Sequence, residues 1–172
     1  MGWLICLVLV AVALTAAAAL FHPLRDGMGA LRMLVRQKFP GVRHVSPSEL
    51  ATLLARNEPD RPVLLDVREP AAFAISHLPG ARSVPDDSTL TELLATLSRG
   101  CPVIVYCHVG YSASELAARL AATGHAALAN LDGGIFQWAN EGRPLERDGQ
   151  PVREVHPYSE LFRRLLRPEL WP

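Results

Sequence analysis

Short apolar runs alternate with helix-forming segments about every 20 residues through the middle of this chain. One run, Val63–Val67, is apolar at every position but one, which is typical of a strand buried on both faces of a parallel sheet. The predicted strands are Val63–Val67, Arg82–Val84, Val103–Tyr106 and Ala126–Leu131. Because parallel neighbours need a crossover between them, the pattern predicts an α/β fold with a doubly wound parallel sheet.

Helix start and stop signals lie between these runs. A capping box at Ser46–Glu49 and a similar pattern at Thr89–Glu92 each mark a helix start. The predicted helices are Pro47–Arg56, Ala71–Ser76, one from Thr89 that Gly100 ends, one from Ser112 that Gly124 ends, and Ile135–Asn140. A short amphipathic segment, Tyr158–Leu166, is expected to pack on the domain or on a membrane.

The stretch Val103–Ser114 carries the strongest chemical signal. Its strand delivers Cys107 to a loop in which Gly110 can adopt backbone angles closed to other residues, and a helix follows. Backbone N–H groups and the positive end of the helix converge at such a point, which favours the nucleophilic thiolate. An inert buried thiol is the alternative interpretation.

Bulk composition excludes several classes of function. The chain has 172 residues, with 17 Lys plus Arg against 17 Asp plus Glu, so its charge gives no reason to expect a nucleic-acid partner. Its three cysteines, Cys6, Cys101 and Cys107, form neither a disulfide framework nor a zinc pattern. The six histidines show no ligand spacing, so we predict no metal and no cofactor.

The N-terminal segment Trp3–Phe21 has no charged residue and is long enough, as a helix, to cross a bilayer core. We expect a retained transmembrane anchor, and a cleaved signal peptide is the alternative. Basic residues follow the span and none precedes it, which predicts a single-pass protein of the cell membrane with its domain in the cytoplasm. Met28–Phe39 could lie on the lipid surface or pack on the domain as a linker helix.

Four sequence blocks together resemble the rhodanese-like domain family. They are Leu65–Glu69, His77–Ala81, Val105–Tyr111 and Leu131–Trp138 running on to Gly142–Leu145. The resemblance implies a five-stranded parallel sheet flanked by helices. The expected organisation is a transmembrane anchor at 1–22, a basic juxtamembrane linker at 23–44, the rhodanese-like domain at 45–146 and a C-terminal tail at 147–172.

The resemblance also implies a chemistry. Cys107 would accept sulfane sulfur from thiosulfate or a persulfide donor and pass it to a thiol or protein acceptor, by covalent catalysis. Backbone N–H groups of the loop would hold the negative sulfur. The implied substrate-binding residues are His108, Val109, Gly110, Tyr111 and Ser112.

One departure from the family pattern bears on activity. The family loop commonly has Arg or Lys five residues after the cysteine, where this chain has Ser112 followed by Ala113. No Lys or Arg lies between Cys107 and Arg119, so we expect poor turnover of thiosulfate, with a protonated His108 and the helix dipole as partial substitutes for the cation. The same absence excludes a cysteine phosphatase, which needs an arginine six residues after its nucleophile.

Other polar residues receive structural interpretations. Asp66 and Arg68 would either shape the rim of the site or form an internal ion pair, and His77 is expected to fix a turn. Trp138 is expected in the core or in a pocket wall. Two functions remain: a membrane-anchored sulfurtransferase, and a catalytically weak binding or sensing module that docks a protein partner. The sequence leaves the oligomeric state open.

Overall fold

The computed structural model describes residues 27–56, 61–97, 100–121 and 128–172. This part of the chain forms a five-stranded, fully parallel sheet in the order β1-β5-β4-β2-β3, and it confirms the predicted α/β architecture. The strands are β1 Arg43–Val45, β2 Val63–Asp66, β3 Arg82–Ser83, β4 Val103–Tyr106 and β5 Leu128–Leu131. Strand β1 was not predicted from the residue pattern, because an edge strand of three residues with two polar members has no readable periodicity.

The helices follow the predicted order with small shifts of their ends. They are α1 Gly27–Lys38, α2 Pro47–Leu54, α3 Pro70–Ile75, α4 Asp87–Thr96, α5 Tyr111–Ala121, α6 Gly134–Asn140 and α7 Glu160–Arg163. The predicted start of α4 at Thr89 is wrong: Asp86 caps this helix, and its carboxylate accepts the Thr89 backbone N–H at 2.8 Å. The predicted end of α5 at Gly124 lies outside the described residues.

The two faces of the sheet bury two separate hydrophobic clusters. Along β4, Val103 and Val105 pack into one cluster with α4 and α5, while Ile104 and Tyr106 pack into the other with α2 and α6. This alternation follows from the two-residue period of a strand, and it leaves both faces covered, as a parallel sheet requires.

The C-terminal tail packs on the domain. A hairpin of β6 Leu145–Arg147 and β7 Gln150–Val152 follows α6, and a single 3₁₀ turn, Pro168–Leu170, ends the described chain. Helix α7 is shorter than the amphipathic segment predicted for this region. Val155, Leu166 and Leu170 are buried in the same cluster as α6, which confirms packing on the domain for this segment.

Helix α1 also packs on the domain, which is one of the two arrangements predicted for Met28–Phe39. Met28 and Val35 are buried, and Arg32 and Arg36 both donate to a carboxylate oxygen of Asp132, at 2.6 and 2.7 Å for the closest pairs. Among the described residues no helix combines the length and apolarity that a membrane span needs. The predicted anchor, Trp3–Phe21, lies outside the described residues.

Candidate active site

Cys107 follows the last residue of β4, which lies between β2 and β5 in the sheet. Ligands of parallel α/β sheets bind at this carboxyl edge. The residue is 5% exposed, and its side chain belongs to the cluster that contains Leu65, Val105 and Ala113. Cys101, at the other end of the strand, is also a free thiol.

Gly110 holds the Cys107 sulfur through its backbone. Its N–H donates to Cys107 Sγ at 3.2 Å, one of the contacts expected of the backbone amides that follow the cysteine. Gly110 has a φ of 93°, and a Cβ there would lie 3.0 Å from Asn130 Nδ2, so both the conformation and the space favour glycine. Ser114 fixes the loop from the helix side, since its hydroxyl donates to the Gly110 carbonyl at 2.7 Å.

A second support for the loop comes from the Gly133–Gly134 turn at the start of α6. The backbone N–H of Ile135 donates to the Cys107 carbonyl and that of Phe136 to the His108 carbonyl, both at 3.0 Å. A Cβ at Gly134 would lie 2.3 Å from the Cys107 carbonyl oxygen, so only glycine permits this approach. The Gly-Gly pattern predicts this turn but not its contact with the cysteine loop, because only the fold brings these distant segments together.

His108 does not act as a cation, contrary to the expectation that it could replace a loop arginine in part. Burial, together with the positive charge of Arg68 and the neighbouring His156, lowers the pKa of His108 to about 3. The imidazole is therefore neutral near pH 7. Its ring packs edge-on against Phe136 and lies 5.0 Å from the ring of Tyr158.

Asp66 and Arg68 form a buried internal ion pair. The Arg68 guanidinium donates to the Asp66 carboxylate, with Nη2 at 2.6 Å from Oδ2, and the same nitrogen donates to the Ser76 carbonyl at 2.6 Å. Both side chains are fully buried. The pair fixes the turn after β2. Glu69, the residue that follows Arg68, lies at the start of α3.

His77 and Trp138 occupy structural positions. His77 hydrogen-bonds the Phe73 carbonyl at 3.0 Å and stacks on the Phe73 ring, which fixes the turn after α3. The Trp138 ring is buried in the core, and its indole N–H donates to the Pro144 carbonyl at 2.8 Å.

The remaining loop residues predicted to bind substrate have different surroundings. Val109 is buried in the cluster on the α6 face, whereas the Tyr111 hydroxyl accepts a hydrogen bond from Lys38 of α1. No sequence pattern predicts the approach of the Lys38 cation to the loop, because Lys38 is distant from the loop along the chain. Ser112 is exposed and lines a shallow pocket.

That pocket has a volume of about 160 Å³ and an acidic rim. Its apolar lining residues Val84, Leu90 and Leu116 also belong to the cluster that holds Cys107. Hydrogen bonds from Ser88 and Thr89 lower the pKa of Asp86 to about 2, so this rim residue is ionised at neutral pH. Asp87, the other acidic lining residue, pairs at 2.6 Å with Arg119, which also lines the pocket.

Comparison with known proteins identifies the family. The model of the rhodanese-like domain matches residues 46–141. The thiosulfate sulfurtransferase GlpE of Ectopseudomonas mendocina is 31% identical over 96 residues, which cover 56% of this chain and 84% of that protein. The GlpE protein of Stutzerimonas stutzeri is 36% identical over 76 residues, which cover 44% of this chain and 69% of that protein.

Solved structures agree with this assignment. A rhodanese-related protein from Thermoplasma volcanium superimposes with a TM-score of 0.50 at 25% identity, covering 60% of this chain and 97% of that one. A thiosulfate sulfurtransferase from Pseudomonas aeruginosa gives a TM-score of 0.54 at 28% identity, covering 79% of this chain and 25% of that one. With a family model that spans more than half of its length, this chain belongs to the rhodanese-like domain family.

Proposed function

We propose that this protein is a sulfurtransferase or persulfide carrier that uses Cys107 as its nucleophile. The observation that carries the proposal is the position of the Cys107 sulfur at the carboxyl end of β4, 3.2 Å from the Gly110 amide nitrogen. An amide N–H at this distance stabilises negative charge on the Cys107 sulfur, the thiolate form that attacks the donor. The relatives named thiosulfate sulfurtransferases support the same reaction class.

The reaction consists of two displacements at sulfur. The Cys107 thiolate attacks the outer sulfur of the donor, the S–S or S–sulfonate bond of the donor breaks, and the donor residue leaves with the bonding pair, as sulfite in the case of thiosulfate. Cys107 then carries a persulfide. An acceptor thiolate attacks its terminal sulfur, and the Cys107 thiolate is released.

The missing loop cation and the carboxylate of Asp86 favour an uncharged or protein-borne persulfide as donor, since the nearby cations Arg119 and Lys38 are engaged by Asp87 and by the Tyr111 hydroxyl. Ser112 stands where the family commonly has a cation, and ionised Asp86 lines the adjoining pocket. A carboxylate at this position repels the dianion thiosulfate. We therefore propose that thiosulfate is a poor donor for this protein.

The experiment that tests the proposal is mass spectrometry of the full-length chain after incubation with thiosulfate or with a small persulfide. We expect one added sulfur atom on Cys107, its loss on addition of a thiol, and no addition in Cys107→Ser. Cys101→Ser is the matched control and should load as the unmodified protein does. Addition of sulfur to Cys107→Ser, or no addition of sulfur to the native protein, would refute the proposed reaction.

A second candidate function rests on the burial of the thiol. Cys107 is only 5% exposed, and its loop has no basic residue, so the domain could serve as a binding or sensing module that docks a protein partner. Alkylation separates the two functions. A Cys107 thiol that reacts with iodoacetamide as fast as a free thiol supports transfer, and an unreactive thiol in the folded protein supports the binding module.

We further propose that Trp3–Phe21 anchors the protein in the cell membrane with the domain on the cytoplasmic side. The apolar length of this segment and the basic residues that follow it support this topology. Retention in the membrane pellet after alkaline carbonate extraction is the expected result. Protease digestion of sealed inverted vesicles should remove the domain. Protection of the domain from the protease would show the opposite topology.

A further inference from the structure

Three potential metal ligands from distant parts of the chain meet beside the cysteine loop. They are the carboxylate of Glu69 at the N-terminus of α3, the imidazole of His108 and the imidazole of His156 in the C-terminal tail. One ligand atom from each residue lies within 4.8 Å of the other two. The sequence spacing gave no sign of this group, because the three positions are 39 and 48 residues apart (108 − 69 and 156 − 108).

We propose that Glu69, His108 and His156 form a binding site for a divalent transition-metal ion of the zinc class. Glu69 Oε1 lies 3.9 Å from His108 Nε2 and 3.5 Å from His156 Nδ1. Ligand atoms of a tetrahedral zinc ion lie about 3.4 Å apart, given metal–ligand bonds of about 2.0–2.1 Å. The two separations from Glu69 exceed this value by about 0.5 Å or less, and the third pair, which lies within 4.8 Å, has to close by at most about 1.4 Å.

His108 provides the observation that points to a ligand. Its side chain is 8% exposed, and its Nε2 atom is buried without a hydrogen-bond partner among the described residues. The Glu69 carboxylate is too far away for a hydrogen bond, since 3.9 Å exceeds the usual limit. A buried polar nitrogen without a partner is unfavourable, and a cation between it and Glu69 would satisfy both groups.

His156 offers a nitrogen that carries a lone pair. The Tyr158 backbone N–H donates to His156 Nδ1 at 3.2 Å, so this nitrogen is not the protonated one. A bound cation would take this lone pair in place of the amide. The imidazole is 28% exposed and the Glu69 side chain 45%, which leaves a route for the ion from solvent.

The donor set selects the class of ion. Two imidazoles and one carboxylate are typical ligands of zinc and of other late first-row divalent ions, whereas magnesium and calcium prefer all-oxygen sites. The positive charge of Arg68 acts on His108 and opposes a bound cation, and the Asp66 carboxylate, 2.6 Å from Arg68, offsets part of that charge. Three protein ligands leave a further coordination position for water or a small ligand.

An ion in this site would connect the tail to the cysteine loop. His156 belongs to the tail, His108 follows Cys107 directly, and the Tyr158 ring already lies 5.0 Å from the His108 ring. We therefore expect zinc to stabilise the folded protein by mass action, because the three ligands are brought together only in the native state. This inference does not depend on the sulfur chemistry of Cys107.

The test uses the full-length chain, purified in detergent and freed of metal, with Cys6 and Cys101 replaced by serine to remove competing thiols. Zinc titration against a chromophoric chelator should show one tight site per chain and a rise in melting temperature. Glu69→Gln and His156→Gln should each weaken zinc binding about tenfold or more. Glu146→Gln is the matched control, because Glu146 lies 3.6 Å from the imidazole of His77, and it should change the affinity less than twofold.

Cobalt distinguishes this site from a thiolate site. With Co²⁺ we expect visible ligand-field bands of a nitrogen- and oxygen-coordinated ion, unchanged in Cys107→Ser. A sulfur-to-cobalt charge-transfer band that disappears in Cys107→Ser would overturn the assignment, as would zinc affinity equal to that of the unmodified protein in Glu69→Gln. Since Glu69 is half exposed and lies outside the hydrophobic clusters, this variant remains informative if His156→Gln folds poorly.

Discussion

The two halves of the loop that follows Cys107 differ in what holds them. The first half, His108–Gly110, is buried, and its backbone carbonyls accept hydrogen bonds from Ser114 of α5 and from Phe136 of α6. In the second half, Tyr111 contacts α1 through Lys38, and Ser112 lines a shallow pocket with two acidic residues at its rim. The backbone thus fixes the position of the sulfur, and under the proposed function the exposed side chains select the donor.

Gly134→Ala should have the largest effect, because it disrupts the first half. The new Cβ would lie 2.3 Å from the Cys107 carbonyl oxygen, at a φ of 57° that L-residues rarely adopt. We expect a loss of about 3 kcal/mol in the free energy of unfolding, measured by denaturant titration, together with loss of sulfur loading.

Gly142→Ala is the matched control for that substitution. Gly142 also has a positive φ, 72°, but a Cβ there meets open space. Gly142→Ala should lower the free energy of unfolding by about 1 kcal/mol, because only the backbone conformation is unfavourable there. Equal costs at the two glycines would show that the close approach of the turn to the cysteine loop is unimportant.

Asp132→Asn should have an intermediate effect and lower the free energy of unfolding by about 2 kcal/mol. Asp132 precedes the Gly133–Gly134 turn and connects it to α1 through Arg32 and Arg36. Burial opposes ionisation of this carboxyl, but hydrogen bonds from Arg32 and Arg36 outweigh it and lower the pKa of Asp132. The stabilisation is therefore complete above the ordinary carboxyl pKa and is lost as the pH falls through the lower pKa of the folded state.

Unfolding titrations from neutral pH down to about pH 3 check this assignment. The difference in stability between the native protein and Asp132→Asn should narrow as the pH falls. Asp87→Asn removes an exposed ion pair with Arg119 and should cost less than about 1 kcal/mol. A difference that stays constant with pH would contradict the ionic role of Asp132.

Ser112→Arg should have the smallest effect and should act on the second half of the loop. A guanidinium beside the acidic pocket would attract thiosulfate, and we expect kcat/KM for thiosulfate to rise about tenfold, equivalent to about 1.4 kcal/mol. Turnover of an uncharged persulfide should not change. Ser112→Gln has similar length without charge, so an equal gain in that variant would attribute the effect to size.

The sequence predicted the central elements of the fold because their signals are local. Val103–Tyr106 is continuously apolar, and the helix after Ser46 begins where the capping-box pattern predicts, with the Ser46 hydroxyl accepting the Glu49 N–H at 3.1 Å. Thr89 and Asp86 illustrate the limit of such signals. Both are good capping residues three positions apart, and only the tertiary position of the helix selects Asp86.

The candidate site was predictable at Cys107 and Gly110 but not around His108. The pKa of His108 depends on burial by the tail, whose contacting residues His156 and Tyr158 lie far along the sequence. Polar residues after Glu146 gave no periodic pattern, so neither the hairpin nor the approach of the tail to the loop could be read from them. The contact between Lys38 and Tyr111 could not be predicted either, because the two residues are far apart along the chain.

The covering of the α6 face by both flanks of the chain has a practical consequence. Met28 before the family match, and Val155 and Leu166 after it, share one cluster with the core, whereas the match itself spans 46–141. A fragment limited to residues 46–141 would expose a continuous apolar surface to water and would be prone to precipitate. Recombinant versions intended for assay should keep everything from position 27 to the C-terminus.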